Sequence, residues 1–530
     1  MSGPDNATIA ERLDALAALL DLAEASSYSV RAYRRAAELI RATPAPVAEL
    51  VRTGRARDLR GIGPSIEKRL VELVETGKLA EIEELEAEVQ PGLVGLGRLV
   101  GLAPQRMVEV GRALGVTSPE ELLEAARAGR LRTVRGIGPA TEAKILAGLE
   151  RPRSAPKRGL MLNRAWELSK AVARGVDGVV AGDPRRWCDT SYELAVVATG
   201  DVLERFAALP EIVTVVDGTL GITADGVPLR LVVASPETFG TELIRATGSA
   251  AFVAVLGELP VAPTEEAVFA ALGVPFVPPE LREYPFPVPL PALVEQADIK
   301  GDLHVHTTWS DGKASVLEMA SAARELGYAY LAICDHTRSV SVVPGLDADD
   351  LRRQGEEIAA VNEQLAPFRV LRGAECDVLA DGALDLPDDI LDELEWVQAS
   401  IHAGQRQSRE QLTKRTLAAV EHPAVRSISH PQGRIINHRP PNAVDLEAVF
   451  AACAEHGVAV ETNGLPARID LSAELVRKAI AAGVSITCST DAHSVRGLAN
   501  MQLSVMTARR GWSTAAHVLN TQPLDQLLAL

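Results

Sequence analysis

Gly301-Asp302-Leu303-His304-Val305-His306 is the stretch that decides the fold of the C-terminal half of this 530-residue chain. Apolar residues alternate here with Asp, His and His, so a β-strand sets His304 and His306 on one face, aimed at one cavity. Asp311 follows in a Ser-Asp-Gly turn. Further along, strand-like runs end in the same chemistry: CDHT with Asp335 and His336, GAECD with Glu375 and Asp377, and ASIH with His402. SISHP with His430 and STDAH with Asp491 and His493 complete the series. Helical segments lie between these runs, and that rhythm predicts a βα barrel with its motifs at strand C-termini.

All ten histidines lie beyond residue 303, and six of them fall at these strand ends. One buried histidine, such as His402 taken alone, is ordinarily a hydrogen-bonded core residue. Six at successive strand ends are not explained that way. Imidazoles with bridging and terminal carboxylates suit Zn, Mn or Fe. Nine such ligands exceed one tetrahedral shell, so two or three divalent metals are expected. His422, His438, His456 and His517 sit in loops or helices and read as ordinary residues. Cys334, Cys376 and Cys488 flank ligand positions and read as small apolar core residues.

The N-terminal part has a different character. Residues 1–160 hold 24 Lys+Arg against 22 Asp+Glu, while the whole chain holds 54 against 71 and a formal charge of −17. The acidic total therefore conceals a segment able to approach a polyanion. Within it, Leu59-Arg-Gly61-Ile-Gly63-Pro-Ser65 and Val134-Arg-Gly136-Ile-Gly138-Pro-Ala140 each precede a helical pattern. Two glycines permit a tight turn, and the turn's N–H groups with the next helix's N-terminus then hold a phosphate. Lys68, Arg69 and Lys144 add charge nearby. A contact of this kind grips the backbone of DNA and reads no sequence. One such motif alone would pass for a glycine helix cap; the duplication in a basic setting favours nucleic acid. An eroded third copy falls at 100–106.

Between the halves, RPRSAPKRG (151–159) reads as a linker, and 160–272 mixes helices with β-rich runs, as a small α+β domain does. The proline-rich stretch 274–292 reads as a semi-rigid connector. No run approaches the ~20 apolar residues a membrane span needs. The acidic N-terminus is unlike a signal peptide, and the five cysteines form no CxxC, so a cytoplasmic protein is expected.

With these residues quoted, the chain resembles a bacterial family X DNA polymerase carrying a C-terminal PHP (polymerase and histidinol phosphatase) domain. The resemblance implies a multidomain protein: an all-α helix-hairpin-helix N-terminal region, an α+β polymerase palm and thumb, and a C-terminal distorted (β/α)7 TIM-like barrel. The implied boundaries are a lyase-like helical domain at 1–78, a fingers-like helical domain at 79–150 and a palm and thumb at 160–273. A linker at 274–298 and the PHP domain at 299–530 follow. Carried over by motif, His304, His306, Glu375 and Asp491 hold one metal. Glu375 bridges to a second metal held by His402 and His430, and Asp311, His336 and His493 hold a third. His493 and Asp335 are the candidates to serve the leaving group, and Arg434 and Lys300 the candidate phosphate contacts.

Two departures from the family pattern shape the functional expectation. The palm's Asp-x-Asp pair is Glu193 and Ala195 here, and its third Asp is Pro228. One carboxylate of three is too few to clamp Mg²⁺ for a two-metal displacement, so the palm is read as degenerate. The position of the Schiff-base lysine is Arg69, whose permanent charge prevents amine nucleophilicity. The expected activity is a metal-dependent phosphoesterase acting on DNA, a 3′→5′ exonuclease or related processing of DNA ends and abasic sites in repair. The alternatives are a working gap-filling polymerase with 3′→5′ exonuclease, a histidinol-phosphate-like small-molecule phosphatase, and a non-catalytic DNA-binding scaffold.

Overall fold

A computed structural model describes residues 4–22, 27–42, 47–59, 61–81, 109–111, 113–116, 119–150, 159–215, 218–223, 227–286, 289–340 and 343–529. The chain divides into two compact units, Met1–Pro156 and Lys157–Leu530. Among the described residues no helix is long and apolar enough to cross a membrane.

The first unit is helical. Ile9, Leu13, Leu16 and Leu20 of helix Asn6–Leu22 share a core with Val30, Tyr33 and Ile40 from helix Ser27–Ala42. Both glycine hairpins form, with the same bonding. Ile62 N donates to Leu59 O at 3.1 Å and Ile137 N to Val134 O at 3.0 Å. Gly61 (φ +111°) and Gly136 (φ +81°) take backbone angles that side chains resist. Helices Pro64–Thr76 and Pro139–Glu150 start directly after, with proline at the first helical position where no N–H is missed. The eroded copy at 100–106 and most of the 151–159 stretch lie outside the described residues.

The second unit opens with a short pair, β1 (Leu160–Met161) and β3 (Thr190–Ser191), beside a five-stranded sheet. That sheet runs β2 (Val179–Ala181), β4 (Leu194–Thr199), β7 (Pro228–Ala234), β6 (Leu220–Thr223), β5 (Ile212–Val215). Only the β4–β7 pair is parallel.

The barrel follows. Its strands are β8 (Gly301–Val305), β9 (Tyr330–Ile333), β10 (Arg369–Asp377), β11 (Trp396–Ser400), β12 (Val425–Ile428), β13 (Ala459–Asn463) and β14 (Ile486–Ser489). All neighbours are parallel and lie in sequence order. A bridge between Val305 and Ala492 brings the two edges together, so seven strands make a nearly closed barrel. β8, β9, β11, β13 and β14 are buried along their whole length, as parallel strands covered on both faces are.

The proline-rich stretch is a packed strap rather than a spacer. Val277 and Leu281 are buried with Phe252 and Phe269, and Arg282 is wholly buried against Glu265 at 2.5 Å. Glu280 and Glu283 bind Arg509 and Arg510 of helix Met501–Arg510 at 2.5 and 2.8 Å. Proline spacing excluded helix but could not show these acids and this arginine finding partners.

Candidate metal centre

Every strand of the barrel delivers a polar group to its C-terminal end. His304 lies within β8 and His306 just beyond it; His336 follows β9, and Glu375 sits near the end of β10. His402, His430, and Asp491 with His493 follow β11, β12 and β14. His430 (φ +28°) and Asp491 (φ +54°) occupy the left-handed region, a strained turn that the surrounding structure must hold in place.

Glu375 is the hub. Its Oε1 lies 2.8 Å from His430 Nε2 and 3.4 Å from His402 Nε2. Its Oε2 lies 2.8 Å from His336 Nδ1 and 3.6 Å from His304 Nε2. The Nε2 atoms of His304 and His306 stand 3.1 Å apart, and His306 Nε2 is 3.2 Å from Asp491 Oδ1. Asp311 Oδ1 faces His493 Nε2 at 3.3 Å and His336 Nε2 at 3.7 Å. The structure thus brings all nine sequence-predicted side chains into one cluster. Three ligand-like groupings fall inside it: His304, His306 and Asp491; His306, Asp311, His336 and His493; and His336, Glu375 and His402. His306 and His336 therefore each belong to two groupings, and His430 joins the cluster through Glu375.

The donor set fits divalent cations. His304 Nδ1 lies 2.7 Å from Glu461 Oε1, which places the proton on Nδ1 and leaves a lone pair on Nε2 aimed into the cluster. His493 Nδ1 likewise donates to Asp491 O at 2.8 Å, freeing Nε2 toward Asp311. His306 Nδ1 is buried without a hydrogen-bond partner, while His336 Nδ1 faces Glu375 Oε2 at 2.8 Å and His402 Nδ1 faces Asp377 Oδ1 at 3.4 Å. Facing imidazole lone pairs and buried carboxylates with few N–H or O–H donors are what a cation, rather than a hydrogen-bond network, would satisfy.

Electrostatics inside the cluster is polarised. Burial raises the carboxyl of Glu375, yet the charges of His402, His304 and His336 hold it well below the usual range. Asp491 is held well below for the same reason, chiefly by His304 and His306 against its burial. Asp311, half-buried, is pulled down to about 2, its burial outweighed by His493. His306, desolvated and facing other imidazoles, is pushed down to about 4.

Three sequence expectations need correction. Asp335 is fully buried and saturated: it accepts from Thr307 N at 2.8 Å, Thr307 Oγ1 at 2.6 Å, Ser310 Oγ at 2.5 Å and Gln354 Nε2 at 2.7 Å. It braces the turn after β8 and cannot serve a leaving group. Arg434 does not face a substrate phosphate. It binds the carbonyls of Arg468 and Ile469 and reaches Asp189 of the palm at 2.6 Å. Lys300 is exposed at the N-terminal end of β8, the wrong end of the barrel for the cluster.

Sequence reasoning missed Glu461, which joins His304 Nδ1 to His430 N at 2.7 Å each and also accepts from Ser489 Oγ at 2.6 Å. An acid in the otherwise apolar run VAVETN was its signal. Asp377, quoted in the GAECD run, accepts from His402 N at 2.9 Å rather than joining the cluster's centre. Arg468, 3.7 Å from Asp491 Oδ2, lay in a loop with no pattern to mark it.

The palm positions are also together. Leu194 pairs with Leu229 and Ala195 with Arg230, so 193, 195 and 228 meet at the start of two parallel strands. The single carboxylate there, Glu193, is taken by Arg230 at 3.0 Å. The cleft alongside, about 440 Å³, holds two more acids, and each has its own arginine: Asp183 with Arg186, and Glu242 with Arg245. In the first unit Lys68 is exposed, but Arg69 is committed to Glu72 at 3.1 Å and Glu81 at 2.5 Å. The side chain of Lys144 lies outside the described residues.

A parallel barrel with a histidine–carboxylate cluster at its strand C-termini defines a hydrolase of the PHP class. The PHP domain family model matches residues 302–439, and the Helix-hairpin-helix domain model matches residues 4–79. The chain is 33% identical to the "DNA polymerase/3'-5' exonuclease PolX" of Bacillus subtilis (strain 168), over 98% of this chain and 97% of that protein. The chain belongs to that family, the bacterial family X DNA polymerases with a PHP domain. It is also 28% identical to proteins named "Probable phosphatase" from Acetivibrio thermocellus and Aliivibrio fischeri. Those matches cover 36% and 37% of this chain and 78% of each relative.

Proposed function

We propose that the chain is a divalent-metal-dependent DNA phosphoesterase, working as a 3′→5′ exonuclease in DNA-end or abasic-site processing, and that its palm no longer polymerises. The observation that carries the reading is the contrast between two sites. Nine metal-competent side chains converge in the barrel, while the palm keeps one carboxylate of three and neutralises it with Arg230.

The ligand assignment is likewise a proposal: Glu375 shared, with His304, His306 and Asp491 on one side, His402 and His430 on another, and Asp311, His336 and His493 on a third. Metals bound there would supply a hydroxide at neutral pH and absorb charge on phosphate oxygens. The chain's own residues set up that chemistry. Glu461 fixes the tautomer of His304 and pins the backbone of His430. His493, part-exposed at the rim, donates its Nδ1–H to the Asp491 carbonyl and so keeps Nε2 for the metal position beside Asp311, which takes it out of the leaving-group role. The two glycine hairpins of the first unit would grip the DNA backbone through Gly61, Gly63, Gly136 and Gly138.

The test is degradation of a 5′-labelled oligonucleotide with Mn²⁺. Stepwise shortening from the 3′ end, lost in a His304→Ala, His306→Ala double variant, supports the reading. Degradation that survives in that variant overturns it.

A further inference from the structure

Beside the cluster runs a groove of about 550 Å³, whose inner wall is His402 and whose sides are the loops after β11 and β12. Arg406 and Gln405 line one side; His438, Arg439 and Asn442 line the other. Asn442 Nδ2 donates to Gln405 Oε1 at 3.2 Å, tying the two loops together. Among the described residues no carboxylate lines the groove. That is notable in residues 161–530, where 49 Asp+Glu outnumber 30 Lys+Arg.

The cationic character continues inward. Arg439 is half-buried, its Nε bound to Gly433 O at 2.8 Å, and burial followed by the charge of Arg468 lowers its affinity for the proton. Arg468 in turn stands 3.7 Å from Asp491. A path of guanidiniums thus leads from the open surface at Arg406 to the edge of the cluster. Arg406 is exposed, and among the described residues it has no hydrogen-bond or ion-pair partner.

We propose that this groove binds the phosphodiester backbone of the strand whose end enters the cluster, so that the site favours an ester within a polyanionic chain over an isolated phosphomonoester. The inference rests on the DNA-phosphoesterase reading above and adds the residues that seat the strand beside the cluster. Arginine suits the role because its planar fork matches phosphate oxygens, and His438 with the two amides can bond sugar or phosphate.

The experiment compares a single-stranded tetranucleotide with p-nitrophenyl phosphate, both with Mn²⁺, in the full-length protein and in Arg406→Ala, Arg439→Ala. The ratio of kcat/KM for the tetranucleotide over that for p-nitrophenyl phosphate should fall about tenfold or more, mainly through KM. The salt dependence on the tetranucleotide should flatten by about one unit of log–log slope for each arginine–phosphate pair removed. Arg406→Glu, which disturbs no bond of the loop, should move the ratio the same way. An equal fall on both substrates, or no fall, overturns the groove. A wild-type protein that hydrolyses neither substrate overturns the hydrolase reading instead. The groove is then judged by fluorescence anisotropy of a labelled tetranucleotide: affinity at least fivefold weaker in the double variant supports it, and unchanged affinity overturns it.

Discussion

Arg434 of the barrel and Asp189 of the palm form an ion pair at 2.6 Å, and Arg510 closes on the same carboxylate at 2.8 Å. Arg434 belongs to the loop that begins at His430, and it also binds the carbonyls of Arg468 and Ile469. Palm and metal loop are therefore bolted together, with Leu162, Trp187, Ile436, Ile469 and Leu503 packed around the bolt. The α+β region before the barrel is thus the wall against which the His430 loop is set.

Replacing Asp189 by Asn leaves the part-buried Arg434 without its counter-ion and Arg510 with Glu283 alone. Breaking such a pair costs about 3 kcal/mol. Trp166 and Trp187, with ring centroids 4.7 Å apart beside it, report the change. Urea unfolding followed by tryptophan fluorescence should show the loss.

The same carboxylate sets an acid dependence. Burial raises Asp189, but Arg434 and Arg510 more than offset it and hold the group below the usual range. A depressed native value means the stabilisation is present above the ordinary carboxyl value of about 3.9 and is lost as pH falls through the native one. Stability of the wild type should drop steeply below about pH 4, and that of Asp189→Asn less steeply, in unfolding curves taken across pH 2–6.

Glu461→Gln keeps the volume but removes the charge that orients His304 and His430. Orienting groups of this kind are worth about 10–100-fold in metal affinity. Competition with a chelator should reveal a weakening of that order for Mn²⁺, with the far-ultraviolet circular dichroism unchanged.

Primer extension with Mg²⁺ and deoxynucleotides should give no product, since Glu193 faces Arg230 and positions 195 and 228 carry no acid. Glu193→Ala should leave Mn²⁺-dependent degradation within twofold of wild type. Extension by the wild type that vanishes in Glu193→Ala contradicts the reading.

The barrel was legible because its polar residues interrupt apolar strands at a fixed place, and period-two alternation then dictates where His304 and His306 point. Family resemblance supplied the division into metal groups; in the structure His306 and His336 each fall in two groupings, and His430 meets the cluster through Glu375. What stayed hidden depends on partners far apart in sequence. Asp335 read as an acid at a strand end, but Thr307, Ser310 and Gln354 saturate it. Arg434 looked like a phosphate contact because nothing in HPQGR announces an aspartate 245 positions earlier. Arg69 read as a cation for DNA, whereas Glu72 and Glu81 hold it.

The measurement that bears most directly on the central claim is the metal content of the protein after equilibration with excess Mn²⁺ and removal of the unbound ion. Two to three ions are expected per wild-type chain and at most one in Glu375→Gln, because Glu375 Oε1 faces His402 and His430 while Oε2 faces His304 and His336. A wild-type content below one, or a content that Glu375→Gln leaves unchanged, contradicts the claim.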